Sequence, residues 1–342
     1  MPNFIESKPR TESIFRSIIL FGRNVASYKF ALGKSLLELS DQEKTFVSME
    51  ELAVPFSHHI SEHLKINDNQ CTSSSSKFLD QIREYNIGKC SHDNLVETTV
   101  SLGFNNVIDA FHIVGKGEVP ERFFIDERKE RKGIIVTDSL LKLKEKIQFT
   151  NFQHEVEARW RLVETAWSLQ INPQLLEVRF DSDSNELYTE FNDFKRITIT
   201  SCRDSLNGYQ KGHCFYCHKD IVVDGSVPEF LADVDHFFPH VLAPEIPDVN
   251  INGVWNLVLA CTECNHGAGG KFENIPTIDL MERLHTRNEY LISSHHPLRE
   301  TIINQTGSTT EKRIKFLQTM DQRSIDLISN RWAPKEMYDT EI

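Results

Sequence analysis

Four cysteines in two short pairs, Cys214-Phe-Tyr-Cys217 and Cys261-Thr-Glu-Cys264, carry the strongest chemical signal in the chain. A two-residue spacer lets both thiolates of a pair reach one ion, and two such loops complete a tetrahedron, so the pattern is that of a four-thiolate zinc site. A redox pair of the thioredoxin kind would need a βαβ setting, which the surrounding residues do not supply. A closed site of this type has no open coordination position, so its ion contributes folding energy to a polar segment and performs no reaction.

Between the pairs lies Asp233-Val-Asp235-His236-Phe-Phe-Pro239, and Asn256-Leu-Val-Leu-Ala leads into Cys261, with Asn265 directly after Cys264. Hydrolysis of a phosphodiester needs a base to deprotonate water and a cation to neutralise the leaving oxygen. A neutral His236 near the ordinary imidazole pKa of about 6.5 suits the first task. Asp235 and Asn265 offer hard oxygens suited to Mg²⁺ or Mn²⁺. Adjacent residues on an ideal strand point to opposite faces, so Asp235 and His236 can serve one centre only if the chain bends there.

The order, types and spacing of residues 214 to 271 resemble the HNH endonucleases, in their tetra-cysteine zinc branch. The resemblance implies a ββα-metal fold in which the acid-His pair ends the first strand and the Cys-x-x-Cys-Asn run opens a helix. It implies His236 as general base, Asp235 and Asn265 as ligands of one Mg²⁺ or Mn²⁺ ion, and Asn256 tying the loop and holding the histidine. Zinc on the four cysteines is then purely structural, and the products carry a 5′-phosphate and a 3′-hydroxyl. Asn265 replaces the more common His of the third motif position and keeps an oxygen ligand. His266 stands where relatives often have Arg, and it joins Lys271 as a candidate contact to substrate phosphate. Gly267-Ala-Gly-Gly270-Lys271 lacks the first glycine of a phosphate-binding loop and has Phe272 where Ser or Thr is required, so an ATP site is excluded. Residues 282 to 303 resemble the helical tail of bacterial HNH proteins, some of them in anti-phage defence. The expected activity is therefore metal-dependent DNA cleavage by a defence or restriction effector. A zinc-stabilised DNA- or protein-binding module with a vestigial HNH site, and an RNA-directed nuclease, are the alternatives.

The elements that must position these groups follow from periodicity. Apolar residues at three- and four-residue steps predict helices over 12 to 39, 78 to 85, 92 to 114, 152 to 169, 278 to 292 and 312 to 328. Residues 133 to 137, 176 to 180 and 197 to 199 are short strand candidates, and 67 to 77 reads as a loop. The expected class is α+β and α-rich: a helical region over 1 to 200 that docks DNA or a partner, the HNH domain over 201 to 276, and a helical extension over 277 to 342. His59 and His63, four residues apart, are read as structural, and His295 and His296 as a helix end.

Charge sets the binding problem. The chain of 342 residues has a net charge of -12, so it does not coat nucleic acid through bulk charge. Residues 201 to 275 hold Arg203, Lys211, Lys219 and Lys271 against ten acids. Residues 1 to 34 instead carry Lys8, Arg10, Arg16, Arg23, Lys29 and Lys34 against Glu6 and Glu12, which suggests a basic helix that grips DNA or a targeting protein. Short apolar runs predict no membrane span, and the polar start predicts no secretory leader. Seven cysteines, four of them in metal-type pairs, point to a cytoplasmic protein.

Overall fold

The computed structural model describes residues 10–21, 25–42, 44–73, 75–115, 117–146, 149–169, 178–191, 195–225, 227–293 and 298–337. They fall into two units that divide near residue 171. Helix and strand are mixed, with helix predominating, as the α+β expectation requires. No helix among the described residues is long and apolar enough to cross a membrane.

The first unit is mainly helical: α1 (Thr11–Phe21), α2 (Tyr28–Ser40), α3 (Met49–Ile66), α4 (Lys77–Asn86), α5 (His92–Thr98), α6 (Val107–Ala110), α7 (Asp138–Lys144) and α8 (Phe149–Ser168). Its sheet orders β1 (Phe46–Ser48), β5 (Gly133–Val136) and β4 (Phe124–Glu127), all antiparallel, and β2 (Ile113–Val114) pairs with β3 (Gly117–Glu118). Helix α3 is absent from the periodicity reading because Pro55 and Ser57 to His59 interrupt it. It is started by a capping box, in which Ser48 Oγ accepts from Glu51 N–H while Glu51 accepts from Ser48 N–H. The expected long helix over 92 to 114 breaks into a π turn, Thr99–Gly103, then α6 and β2. At Gly103 a Cβ would lie 3.0 Å from the Phe78 ring, so close packing selects glycine there and weakens the helix. Phe15, Phe30, Phe56, Phe104, Phe111 and Trp160 fill the core.

Three of the six cations in the basic-helix reading are engaged within this unit. Arg16 is buried, pairs with both oxygens of Glu155 at 2.7 and 2.8 Å, and lies over the Phe152 ring. Lys29 is buried with Nζ on the Ile113 carbonyl at 3.2 Å, and burial pulls its pKa down to about 8. Lys34 is paired with Glu157 at 2.7 Å. Arg16, Lys29 and Lys34 are therefore not free to grip DNA; Lys8 and Arg23 lie outside the described residues. His63 is structural, as read: its ring stacks 3.5 Å from Trp160, and the carboxylates of Glu157 and Glu164 raise its pKa against the effect of burial. His59 lies 2.8 Å from Glu38. His295 and His296 lie outside the described residues.

The second unit opens with an antiparallel sheet, β6 (Arg179–Asp181), β7 (Glu186–Phe191) and β8 (Lys195–Ser201), so these strands belong with the cysteine-bearing part of the chain. Helix α9 (Cys202–Gln210) follows, then the hairpin of β9 (Asp233–His236) with β10 (Leu257–Ala260), and the short α10 (Thr262–Asn265). Strand β11 (Ile275–Pro276) leads into α11 (Ile278–Ser293), α12 (Leu298–Thr306) and α13 (Thr310–Leu327), and β12 (Arg331–Trp332) returns to pair with β11 in parallel.

Candidate functional site

Each cysteine loop is tied to the hairpin by backbone geometry. Helix α9 ends at Lys211, whose φ of 54° is left-handed, and Gly212 continues with φ 77°, so the chain reverses directly into the Cys214 loop. The Gln210 side chain then behaves like an added strand. Its Oε1 accepts from Leu259 N–H at 2.9 Å, and its Nε2 donates to the Leu259 carbonyl at 2.8 Å. Phe215 N–H donates to the same carbonyl. The second pair brackets α10: Asn265 N–H donates to the Cys261 carbonyl, and Lys271 N–H to that of Cys264.

The four sulfurs lie within 4.8 Å of one another and all four residues are buried. Cys217 and Cys261 sulfurs are 3.7 Å apart. Two thiolates about 2.3 Å from one tetrahedral ion would be separated by about 3.8 Å. The donor chemistry and the spacing therefore fit a structural metal such as zinc. Hydrogen bonding among the sulfurs, that of Cys214 foremost, pushes the Cys264 thiol up and the Cys217 thiol down, so the four do not ionise alike.

On the hairpin, the register Leu257↔His236, Val258↔Asp235 and Ala260↔Asp233 fixes which groups share a face. Alternation puts Asp233 and Asp235 on one side and His236 on the other. Asn256 is wholly buried and clasps the loop after His236: Nδ2 donates to the Phe238 and Ile251 carbonyls, each at 2.9 Å, and Oδ1 accepts from Phe238 N–H at 2.8 Å. The expected tie is present, and it acts on the backbone beside His236. The imidazole itself bonds Asn252: Nε2 lies 2.8 Å from Oδ1. An oxygen acceptor there places the proton on Nε2 and leaves Nδ1 as the basic atom. Burial lowers the His236 pKa to about 4 against the opposing effect of the Asn252 bond, so the ring is neutral at pH 7. Phe180 and His240 flank it, with ring centroids 6.1 and 5.3 Å away.

The acid side is arranged differently from the expectation. Asp235 is buried; Tyr216 Oη donates to its Oδ2 at 2.6 Å, and Lys271 Nζ lies 3.3 Å from its Oδ1. Burial raises the Asp235 pKa despite that ammonium, and burial lowers that of Lys271. Lys271 is only 1% exposed, so its charge answers Asp235 and is not presented at the surface to a phosphate. Asn265 meets Asp233 instead, Nδ2 to Oδ2 at 3.3 Å, and His266 Nδ1 lies 3.4 Å from the same oxygen. The structure thus groups Asp233, Asn265 and His266, and separately Asp235, Lys271 and Tyr216. The i, i+2 spacing of the two aspartates on one strand was a usable signal for Asp233. Gln210 and Asn252 left none, because Gln210 lies before the motif and Asn252 is one of several polar residues in the loop between its strands.

Comparison with protein-family models, with curated proteins and with solved structures finds no match.

Proposed function

We propose that the chain is a metal-dependent HNH-type endonuclease that hydrolyses DNA phosphodiester bonds. The observation that carries this reading is local: an antiparallel hairpin ends in a neutral histidine, a buried asparagine clasps the following loop, and a cysteine-held helix beside it bears Asn265. In this mechanism His236 Nδ1 takes a proton from the attacking water while Asn252 fixes the ring through Nε2. A Mg²⁺- or Mn²⁺-class ion, when bound, would stabilise charge on the leaving 3′-oxygen.

Asp235 and Asn265 are its ligands by resemblance. In this arrangement the Asp235 oxygens are engaged by Tyr216 and Lys271, whereas Asp233 and Asn265 form the oxygen pair whose chemistry fits a hard cation. The proposal therefore includes Asp233 with Asn265. Because the nuclease segment is acidic and Arg16 and Lys29 of the first helices are buried, grip on DNA comes from a protein partner that delivers the enzyme. That is the organisation of a restriction or defence effector.

The test is nicking of supercoiled plasmid by the full chain with Mg²⁺ or Mn²⁺, with an RNA panel alongside. Cleavage that stops on chelation and in His236→Ala supports the reading, and RNA-only cleavage moves it to the RNA-directed alternative. The engaged state of Asp235 favours one second reading, a zinc-stabilised binding module with a vestigial site. Nucleic-acid or partner binding with no cleavage in either metal would select it.

A further inference from the structure

A zinc ion held by four thiolates carries a net charge of about -2, and placing that charge in a protein interior is costly unless cations answer it. Most nearby cations are committed elsewhere. Lys271 answers Asp235, Lys219 pairs with Glu263 at 2.8 Å, and Lys335 reaches the Ala268 carbonyl from an exposed position. Two arginines one turn apart on α11, outside the sequence motif, also belong to this unit.

Arg283 reaches over the first cysteine loop. Its Nη1 donates to the carbonyls of Phe215 and Tyr216 at 2.5 and 3.0 Å, and its guanidinium lies 5.8 Å from the Phe215 ring centroid. Phe215 and Tyr216 are the two residues between Cys214 and Cys217, so this cation sits directly on the loop that presents two of the sulfurs. Burial lowers the Arg283 pKa, and Tyr209 first, then Cys214 and Cys217, offset part of that depression. Arg287 is 1% exposed. Its Nη2 donates to the Trp255 carbonyl at 3.1 Å, while Nε and Nη1 have no hydrogen-bond partner. Among the described residues no carboxylate forms an ion pair with Arg287, which is an unusual state for a buried guanidinium.

We propose that Arg283 and Arg287 supply the counter-charge of the metal-loaded cysteine quartet, so that metal retention and docking of α11 are one coupled equilibrium. Arg283 also holds the loop that presents two of the sulfurs. Arg287, one turn further along α11, adds a second buried charge. The helix after the cysteine motif is then part of the metal site, and an ion entering the quartet is favoured by a field the tail has already built. The inference depends on the thiol quartet alone and stands whether or not the chain cleaves nucleic acid.

The test uses the full chain and measures Zn²⁺ affinity by competition with a chromophoric chelator, with thiolate-to-Co²⁺ absorption bands in the Co²⁺-substituted protein as a check on ligand geometry. Arg283→Met should weaken Zn²⁺ binding by about 10- to 100-fold with unchanged Co²⁺ bands, the range typical when an outer partner of a metal site is lost. Arg283→Lys, which keeps the charge and loses the forked donor, should stay much closer to wild type. In a Cys214→His background the loaded site carries one negative charge fewer, and the Arg283→Met effect should shrink. Equal losses for Met and Lys, or an effect undiminished in the Cys214→His background, would assign Arg283 to loop packing and overturn the counter-charge. If Arg283→Met does not fold, Arg287→Met gives the same reading, because it touches neither cysteine loop: Zn²⁺ affinity equal to wild type overturns the proposal. A wild-type chain that binds no Zn²⁺ overturns it outright.

Discussion

Asn256 uses one side chain to bond three backbone groups, and all of its partners flank the segment that follows His236. Asn256→Ala would strand those groups in a dry interior. At about 1 kcal/mol or more each, the loss should be about 3 kcal/mol, read by chemical denaturation, with a further fall in any activity that needs the loop. His236→Ala separates from this cleanly: cleavage should fall by at least about 100-fold while metal content and melting temperature stay close to wild type. A variant within tenfold of wild type would exclude His236 as the base. His112 provides the pH-dependent case. Its Nε2 accepts from Phe123 N–H at 2.9 Å, and burial, with Arg122 and Lys29 adding to it, lowers its pKa to about 4. The unfolded value is near 6.5, so the unfolded chain takes up the proton first. The stability that neutral His112 provides is complete above pH 6.5 and lost as pH falls toward 4, by about 3 kcal/mol in all. The stability advantage of wild type over His112→Gln should shrink by that order between pH 7.5 and pH 4, and parallel curves would show that His112 is not held neutral.

At the level of elements, α1 is locked to α8 by the buried pair of Arg16 with Glu155. Reversing that charge sets two carboxylates against each other in the core. Arg16→Glu should therefore cost at least about 3 to 5 kcal/mol and unfold the helical unit, with no selective change in the salt dependence of DNA binding. The sequence spacing of Arg16 and Lys29 could not distinguish a solvated stripe from buried cations, because their partners, Glu155 and the Ile113 carbonyl, are remote in the chain. The cysteine quartet was legible for the opposite reason, since each pair of ligands is fixed by a two-residue spacer. The helices over 77–86, 149–168, 278–293 and 310–327 were legible from their apolar stripes. The direction of Asp235 was not, because alternation separates it from His236 only on an ideal strand, and both lie at the end of β9. What turned it inward was Lys271, whose place depends on how the glycine run after α10 folds back.

On the scale of the whole molecule, the chain divides into two units, and only one of them contains the four-cysteine cluster. Calorimetry before and after a strong chelator should show one transition falling by about 10 °C or more and the other nearly unmoved, since a structural ion contributes its binding energy only where it binds. A single transition that shifts as a block would show that the units unfold together. The pairing of β12 with β11 has a consequence in time. Trp332 lies against Tyr216, bonds the Gly269 carbonyl at 2.8 Å, and so covers the cysteine loops, yet it is made about 70 residues after Cys264. At roughly 5 to 20 residues per second, a growing chain presents its four thiols for roughly 4 to 14 seconds before that cover exists. In that interval an ion can enter unhindered, and so can an oxidant. Whichever enters first is then overlaid by Trp332, which follows all four thiols in the chain.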